Sequence, residues 1–412
     1  MTTDAGAASQ TTARWADLPQ LPVLEPEYQV DPHRFYRQAR EQGPLAFGLV
    51  GPAALSYDAV RTVLRDRRFG STKALNLEVS GITSGPLWDQ AVRSILSLDG
   101  EEHHRLRRLV SKAFTPTSAA RLRATMAEVI NELIEPFSVV GRCDIVADIA
   151  RPYPIPIVCE LLGAPRRDWR LFSAWTDDIF KIFGPNVVSD EPDIVRATGE
   201  LRGYVAEMVA RRRETLTDDL ISNLIRAEED GDRLTHDELL MLVSAVLTAG
   251  TDTTRNQLAA AVQVFCEHPD QWALLSARPE LAPQAVEEVM RHTPIILGAP
   301  RIAAEDVDLA GVTIPAGTLV MAITASANRD PAVYPDPDRF DITREHLDPM
   351  LTFGGGIHYC LGVHLAKAEL AVALTVLAKR MPKIRRTGPA PWKPLFGVSG
   401  PITLPVEFEP GH

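Results

Sequence analysis

Apolar residues recur at intervals of three and four along most of the chain, which is the spacing of one face of an α-helix. The clearest examples are residues 116–137, 201–216 and 281–292. Thr235 and Glu238 have the spacing of a capping box and predict the start of a further helix. Strand patterns are fewer, and residues 312–321 indicate two short strands around a Pro-Ala-Gly turn. The pattern predicts a mainly α fold with a minor β region.

No linker or repeat divides the chain, so a single large domain is expected over residues 21–412. Residues 1–20 are rich in Ala, Thr and Ser and are expected to be a disordered leader. The start of the chain lacks the apolar stretch of a signal peptide. The apolar run over residues 239–250 is shorter than the roughly 20 residues that span a bilayer. We therefore expect a cytoplasmic protein without a membrane segment.

A net charge of −11 argues against a nucleic-acid or anionic-membrane surface. The four cysteines are irregularly spaced in a long chain, which argues against a disulfide framework and against a structural zinc site. Cys143, Cys159 and Cys266 are expected to be free core thiols. Cys360 differs because of the residues around it.

Three consecutive glycines, Gly354 to Gly356, precede Cys360 and predict a tight loop that approaches another group closely. A helical pattern follows the cysteine, so helix N–H groups could stabilise its thiolate. The residues alone leave three readings open: a core thiol, a nucleophile paired with His358, or a ligand of haem iron.

The spacing Phe-x-x-Gly-x-x-x-Cys-x-Gly, formed by Phe353, Gly356, Cys360 and Gly362, resembles the signature of the cytochromes P-450. The resemblance extends from about residue 32 to residue 408. It implies the cytochrome P-450 fold and a b-type haem whose iron is bound by Cys360. It further implies that Phe353 packs beside the sulfur and that Gly354 and Gly362 let the loop lie on the haem.

Residues 249–254, Ala-Gly-Thr-Asp-Thr-Thr, fall inside the helix that begins near Thr235 and are poor helix formers. They are similar to the family's oxygen-binding groove. The resemblance implies that Ala249 and Gly250 contact haem and that Asp252 and Thr253 handle protons. The alternative is a buried helix whose threonine hydroxyls bond their own backbone.

Glu288 and Arg291 match the family's Glu-x-x-Arg pair, which implies a buried charge network with an arginine downstream, near residues 328–331 and 337–341. A weak surface ion pair is the alternative. We expect the pair to brace the haem loop and to have no chemical role.

Haem propionates need cationic partners when buried. Four residues match the family's propionate-binding positions: His103, Arg107, Arg301 and His358. His104 is a rival to His103 that the resemblance disfavours.

The resemblance implies a monooxygenase that inserts one atom of O2 into an organic substrate. No reductase is fused to the chain, so electrons are expected from a separate ferredoxin and its ferredoxin reductase. A basic docking face is expected around Arg105, Arg108, Lys112 and Lys367. A peroxide-driven enzyme and a haem-based sensor or carrier remain alternatives.

The segments that line the substrate pocket in relatives are mostly apolar here, which predicts a largely apolar substrate of the fatty acid, terpenoid, steroid or polyketide class. The candidate lining residues are Leu87, Trp88, Val246, Ile295, Ile296, Leu297, Phe396 and Val398.

Overall fold

The computed structural model describes residues 15–229, 234–345 and 348–410. The helices within these ranges are α1 (Pro26–Val30), α2 (Pro32–Arg40), α3 (Tyr57–Arg65), α4 (Leu75–Val79), α5 (Pro86–Arg93), α6 (Gly100–Ser111), α7 (Pro116–Arg121), α8 (Arg123–Ile134), α9 (Pro154–Leu162), α10 (Trp169–Ile179), α11 (Val187–Glu214), α12 (Leu220–Glu229), α13 (His236–Glu267), α14 (Pro269–Ala277), α15 (Ala282–His292), α16 (Thr324–Ala327) and α17 (Val363–Arg380). The predicted helices over residues 201–216 and 281–292 are confirmed as parts of α11 and α15, whereas residues 116–137 form α7, α8 and a final 3-10 turn. About 58% of the structure is helical.

The strands are short, and most of them lie in the first and last thirds of the sequence. They are β1 (Leu45–Gly48), β2 (Gly51–Ala54), β3 (Phe69–Gly70), β4 (Arg142–Asp144), β5 (Ala299–Ala303), β6 (Val307–Leu309), β7 (Val312–Ile314), β8 (Leu319–Ala322), β9 (Arg385–Arg386) and β10 (Pro405–Glu407). Among the described residues the largest sheet has the order β1-β2-β8-β5-β3. In it β2 and β8 are parallel, with Ala53 opposite Met321, whereas β5 and β8 are antiparallel, with Arg301 opposite Val320.

The two predicted strands around the Pro-Ala-Gly turn are confirmed as β7 and β8, but they pair with different neighbours. β7 forms a hairpin with β6, and β8 belongs to the large sheet. β4, β10 and β9 form a further small sheet that joins the chain's middle to its end.

Helix α13 is the centre of the fold. Its start is the predicted capping box, in which the Thr235 hydroxyl accepts from the N–H of Glu238 and the Glu238 carboxylate accepts from the N–H of Thr235. It packs against α9, α10, α11 and α17. A helix that is buried on most sides by its neighbours belongs to the interior of a large domain.

The main hydrophobic core joins α8, α9, α13 and α17, and a second cluster lies between α3 and the large sheet. Of the expected leader, residues 1–14 lie outside the described residues. Trp15–Asp17 form a 3-10 helix, and Gln20 pairs with Phe47 of β1, so the end of that segment belongs to the folded domain. In the described part of the chain, no helix is long and apolar enough to cross a membrane.

Candidate active site

The glycines before Cys360 make a loop that only glycine adopts readily. Gly354 and Gly356 have φ of +73° and +66°. A Cβ on Gly356 would lie 2.6 Å from the carbonyl oxygen of Leu64 in α3, so the loop also passes very close to that helix. The N–H of Cys360 then donates to the carbonyl of Phe353 (3.0 Å) and closes the loop. Cys360 is thereby fixed three residues before α17.

Burial raises the pKa of the Cys360 thiol, while a hydrogen bond from the Gly362 N–H and the charge of Arg107 oppose the rise. The start of the helix therefore supplies a hydrogen-bond donor to the sulfur, as expected, although burial has the larger effect on the pKa of the thiol. The other thiols are more strongly disfavoured as thiolates, because burial raises the pKa of Cys143, Cys159 and Cys266 to about 12. Cys360 is thus the cysteine whose surroundings suit a metal ligand.

The four expected propionate partners converge beside the cysteine loop. The rings of His103 (α6) and His358 lie 4.5 Å apart, whereas His104 is exposed, which supports the choice of His103. Arg107, one turn after His103, donates to the carbonyl of Tyr359. Burial lowers the pKa of the His358 imidazole, and the charge of the nearby Arg301 lowers it further. Arg301 lies on β5 and is itself buried.

This cluster has unused donors that would suit a buried dianion. The Nδ1 atom of His103 is buried without a hydrogen-bond partner in the described residues, and burial lowers its pKa to about 4. Within the same ranges, the guanidinium of Arg301 donates only to the adjacent carbonyl of Pro300 (2.8 Å). Burying such groups unpaired is unfavourable. Two carboxylates placed here would satisfy them, so the residues present fit haem propionates.

Asp99, just before α6, is a member of this cluster that the sequence did not indicate. One of its oxygens lies 2.9 Å from His358 Nε2, and the other accepts from the N–H of Ser71 (2.7 Å). The Asp99 carboxylate therefore links His358 of the cysteine loop to Ser71, which lies between β3 and α4. His358 is 259 residues from Asp99, and no local pattern signals such a contact.

One side of α13 is less buried than the others, and we call it the open stripe: Ala245, Val246, Ala249 and Thr253. Ala249 is exposed in the middle of this otherwise buried helix, and the other three are half-buried. These positions are three and four residues apart and so share a face. The Thr253 hydroxyl donates to the Ala249 carbonyl (2.8 Å), and the helix is continuous there. The stripe runs along α13 from Ala245 to Thr253, so it can line one wall of a cavity.

Gly250 does not share that face. A Cβ at this position would lie 2.9 Å from Val158 Cγ2 of α9. The close packing of α9 on α13 therefore explains this glycine. Because Gly250 faces α9, its position does not support the expected contact with the cofactor.

Asp252 also points away from the open stripe and is almost completely buried. Its carboxylate pairs with Arg255, one turn later on α13, and Arg255 Nη2 lies 2.5 Å from Asp177 Oδ1 of α10. Asp177 in turn pairs with Arg151, whose side chain is half exposed. The acid expected to handle protons is therefore held in a chain of alternating charges that reaches the surface.

Glu288 and Arg291 form the predicted buried pair, with both side chains fully inaccessible. Arg291 donates to both oxygens of Glu288 (2.7 and 2.8 Å) and to the carbonyls of Asn328, Pro337 and Arg339. The downstream arginine side chain is Arg344 (3.2 Å to Glu288), outside the two segments that the sequence indicated.

The network reaches the cysteine loop through Asn328. The side chain of Asn328 donates to the hydroxyl of Thr352 (2.7 Å) and accepts from the N–H of Leu351 (2.7 Å). Thr352 immediately precedes Phe353. The pair therefore fixes the base of the loop, as the expected bracing role requires.

Two of the segments expected to line the pocket, around residues 76 and 397, contact residues 182–183, and the end of the second also contacts Ile295. Asn76 donates to the carbonyl of Ile182 (2.6 Å), a Cβ on Gly397 would touch Phe183, and Ser399 donates to the carbonyl of Ile295 (2.9 Å). Trp88, Val246, Ile296, Leu297, Phe396 and Val398 are half-buried, and Ile295 is buried. Leu87 differs, because it packs fully against Leu77, Val187 and Ile194 in a small core cluster.

The expected basic docking face is smaller than the sequence suggested. Arg105 is half-buried and is not a free surface cation, because it forms a two-pronged ion pair with Glu238 at the start of α13. Lys367 is paired with Glu287 (2.6 Å) and lies over the Phe353 ring. Arg108 and Lys112 are exposed, as are Ile357 and Tyr359 of the cysteine loop. These last four residues define what we call the proximal patch.

Comparison with known proteins agrees with this architecture. The family model described as Cytochrome P450 matches residues 168–277 and 271–380. Luteothin monooxygenase of Streptomyces thioluteus is 37% identical, covering 97% of this chain and 98% of that protein. Mycinamicin IV hydroxylase/epoxidase of Micromonospora griseorubida is 40% identical, covering 85% and 87%.

Solved structures give the same result. The crystal structure of CalO2 superimposes with a TM-score of 0.88 at 32% identity, covering 94% of this chain and 98% of that one. Epothilone D-bound P450epoK gives a TM-score of 0.86 at 29% identity, covering 94% and 98%.

The chain belongs to the cytochrome P450 family. It is a P450 monooxygenase, which uses haem, O2 and redox partners.

Proposed function

We propose that this protein binds a b-type haem through the sulfur of Cys360 and oxidises a largely apolar small molecule with electrons from a ferredoxin. The observation that carries the proposal is the cysteine loop with the buried side chains of His103 and Arg301 beside it. Cys360 is fixed between Phe353 and α17, while His103 and Arg301 present unused donors beside it. Propionate binding would fall to those two residues together with Arg107 and His358.

When bound, haem supplies the chemistry of oxygen activation, which a thiolate ligand promotes by electron donation. The protein's own residues would hold that group and line the space beside it. Phe353 and the glycine loop would position the Cys360 sulfur, and Ala249 and Thr253 of the open stripe would form one wall of the cavity. Thr253 Oγ1 is the polar atom on that wall, and its single proton is given to the Ala249 carbonyl. The Thr253 oxygen can therefore accept a hydrogen bond from a water molecule and hold that water over the open stripe.

Asp252 is proposed to exchange protons with the water near Thr253. In the present arrangement its carboxylate is bound by Arg255, so it has to release that guanidinium before it serves the stripe. The presence of both residues favours an O2-dependent monooxygenase over the peroxide-driven and sensor alternatives, which have no need of such a pair.

The substrate is proposed to be a fatty acid, terpenoid, steroid or polyketide. Support comes from the half-buried apolar side chains of Val246, Ile296, Leu297 and Phe396. Pockets with such a lining bind mostly apolar ligands. The names of the relatives agree, since they include a mycinamicin IV hydroxylase/epoxidase and an epothilone-bound structure.

The electron donor is proposed to dock on the proximal patch. The patch combines two exposed cations, Arg108 and Lys112, with two exposed apolar side chains, Ile357 and Tyr359. Charge complementarity would steer an acidic ferredoxin there, and the apolar centre would stabilise the complex.

The test is a reconstituted assay with ferredoxin, ferredoxin reductase and NAD(P)H, after a binding screen that follows the haem spin state. We expect apolar compounds to shift the spin state and at least one to give an oxygenated product. Tight spin shifts confined to small charged molecules would contradict the substrate class. Product formed from peroxide but not from O2 and the donor would favour the peroxide-driven alternative.

A further inference from the structure

Residues 71–98 form a loop whose two ends meet beside Asp99, and we call it the pocket loop. The Ser71 N–H donates to Asp99 Oδ2 (2.7 Å), and the Ser71 hydroxyl donates to the carbonyl of Leu96 (2.6 Å). The start of the loop is therefore bonded both to its end and to the Asp99 carboxylate. The loop contains α4 and α5, and it carries Trp88, one of the candidate lining residues.

The far side of the pocket loop is held by the segment that joins α10 to α11. Asn76 Nδ2 donates to the carbonyls of Ile182 (2.6 Å) and Gly184 (3.1 Å) in that segment. Leu77 and Leu87 pack in a small core cluster with two residues of α11. The pocket loop thus has a far attachment at Asn76 and a near attachment at Asp99.

Asp99 directly precedes α6, where an aspartate usually accepts hydrogen bonds from its own helix. Within the described ranges its side chain makes no bond of that kind. Instead Oδ1 lies 2.9 Å from His358 Nε2, and Oδ2 accepts from Ser71. A Cβ on Gly70 would lie 3.0 Å from Oδ2, so the glycine leaves room for the carboxylate. The carboxylate is therefore directed away from α6 and joins two other segments.

Three of the four proposed propionate partners lie on elements that meet at this carboxylate. His103 is one turn further along α6, and His358 contacts Asp99 directly. Strand β3, which ends at Gly70, pairs with β5, the strand of Arg301. A movement of Asp99 would therefore act on the near end of the pocket loop and on the propionate partners together.

We propose that Asp99 is a positioning residue that couples the pocket loop to the bound haem. The proposal rests on the proposed function, because it requires His358 to bind a propionate. Asp99 holds His358 with one oxygen and the pocket loop with the other, so bound haem orders the loop and an ordered loop helps to retain haem. Coupling between two binding events acts equally in both directions. No contact with haem or substrate is assigned to Asp99 itself.

The first test is a double-mutant cycle on the rate at which the haem-loaded protein loses haem to excess apomyoglobin. Asn76→Ala loosens the far attachment of the pocket loop, and Asp99→Ala removes its link to His358. We expect Asn76→Ala to speed haem loss about threefold in the wild-type background, as a weak hydrogen bond would, and to have almost no effect in the Asp99→Ala background. Equal accelerations in both backgrounds would overturn the proposal, because residues that only stabilise the fold act independently. No acceleration in the wild-type background would overturn it as well.

The second readout is hydrogen exchange of the backbone amides in the haem-loaded protein. Asp99→Ala should speed exchange in the pocket loop and in the cysteine loop together. Asp99→Asn keeps one acceptor oxygen for the two contacts and should fall between wild type and Asp99→Ala. The matched control is Asp89→Ala, which removes an exposed carboxylate from the same loop and should leave exchange in the cysteine loop unchanged. Faster exchange confined to one of the two loops in Asp99→Ala would refute the coupling.

These variants are expected to fold, because the Asp99 side chain is 41% exposed. The two readouts also separate this proposal from the proposed function. If the wild-type chain binds no haem, the proposed function fails, and hydrogen exchange of the full chain still decides whether Asp99 joins the two loops. If haem is bound and the effects of Asn76→Ala and Asp99→Ala are independent, only the role of Asp99 is wrong.

Discussion

Replacing Arg291 by leucine should destabilise the protein severely, because the guanidinium is the centre of a fully buried network. Leucine fills part of the volume but removes the two hydrogen bonds that the Arg291 guanidinium donates to the Glu288 carboxylate, and it leaves the carbonyls of Asn328, Pro337 and Arg339 without that donor. Removing one partner of a buried ion pair costs about 3–5 kcal/mol. Each buried carbonyl left without a donor adds to that loss, although the terms are not additive.

A loss of about 3–5 kcal/mol is a large part of the roughly 5–15 kcal/mol that stabilises a typical folded domain. It should lower the melting temperature by about 5–10 °C, using the smaller shifts per kcal/mol that large domains show. Because Asn328 links this network to the residues before Phe353, the variant should also retain less haem.

The assay is thermal unfolding of purified protein, with the ratio of haem to protein absorbance measured on the same samples. Arg339→Ala is the matched control, since its side chain is two-thirds exposed and Arg291 uses only its carbonyl. The control should behave as wild type. If Arg291→Leu melts within about 2 °C of wild type and keeps its haem, the network does not brace the loop as we argue.

Three further predictions follow from the site and its surroundings. Thr253→Ala should still bind substrate and consume NAD(P)H but release peroxide, measured as a fall in product per NAD(P)H; unchanged coupling contradicts the proton role. Arg108→Glu should slow reduction by ferredoxin several-fold at low salt, and the difference from wild type should shrink as salt is added. Arg105→Glu should mainly lower stability, because Arg105 is bound to Glu238. Slower reduction in Arg105→Glu together with unchanged reduction in Arg108→Glu would contradict this assignment. The pKa of His292 is lowered to about 2, mainly by burial and then by the charges of Arg329 and Arg291. Below pH 6.5 the unfolded state therefore binds a proton at this imidazole and the folded state does not. The free energy of unfolding should therefore fall below that pH by up to about 1.4 kcal/mol per pH unit, and a His292→Gln variant should show a shallower fall; an equal slope refutes the assignment.

Local motifs were predicted correctly because their physics is local. The glycines before Cys360 and the Thr235–Glu238 capping box act within a few residues, so spacing alone indicates the loop and the helix start. Ala249 and Thr253, which only the resemblance to the cytochromes P-450 indicated, lie four residues apart and share one face of the central helix.

Contacts between distant segments were beyond the sequence. Arg105 meets Glu238 across 133 residues, and Lys393 meets Asn256 across 137. A lysine or arginine on a helix face gives the same local pattern whether it is solvated or paired. Only the packing of α6 and of the last loop against α13 decides between the two.

The sequence also could not show which side of the helix a small residue faces. Gly250 and Ala249 are neighbours in a motif, yet Ala249 lies on the open stripe and Gly250 faces Val158 of α9. Helix geometry separates adjacent positions by about 100°, but only the neighbouring helix shows which of the two faces the cavity.

The central claim is that the Cys360 thiolate binds haem iron, and the absorption spectrum of the reduced carbon monoxide complex tests it most directly. Wild type should show the strongly red-shifted Soret band of thiolate ligation. Cys360→His should keep part of its haem, since the propionate cluster around Arg301 is unchanged, but should lose that band and the monooxygenase activity. A wild-type band at the position found in globins, or a red-shifted band that survives in Cys360→His, would contradict the account.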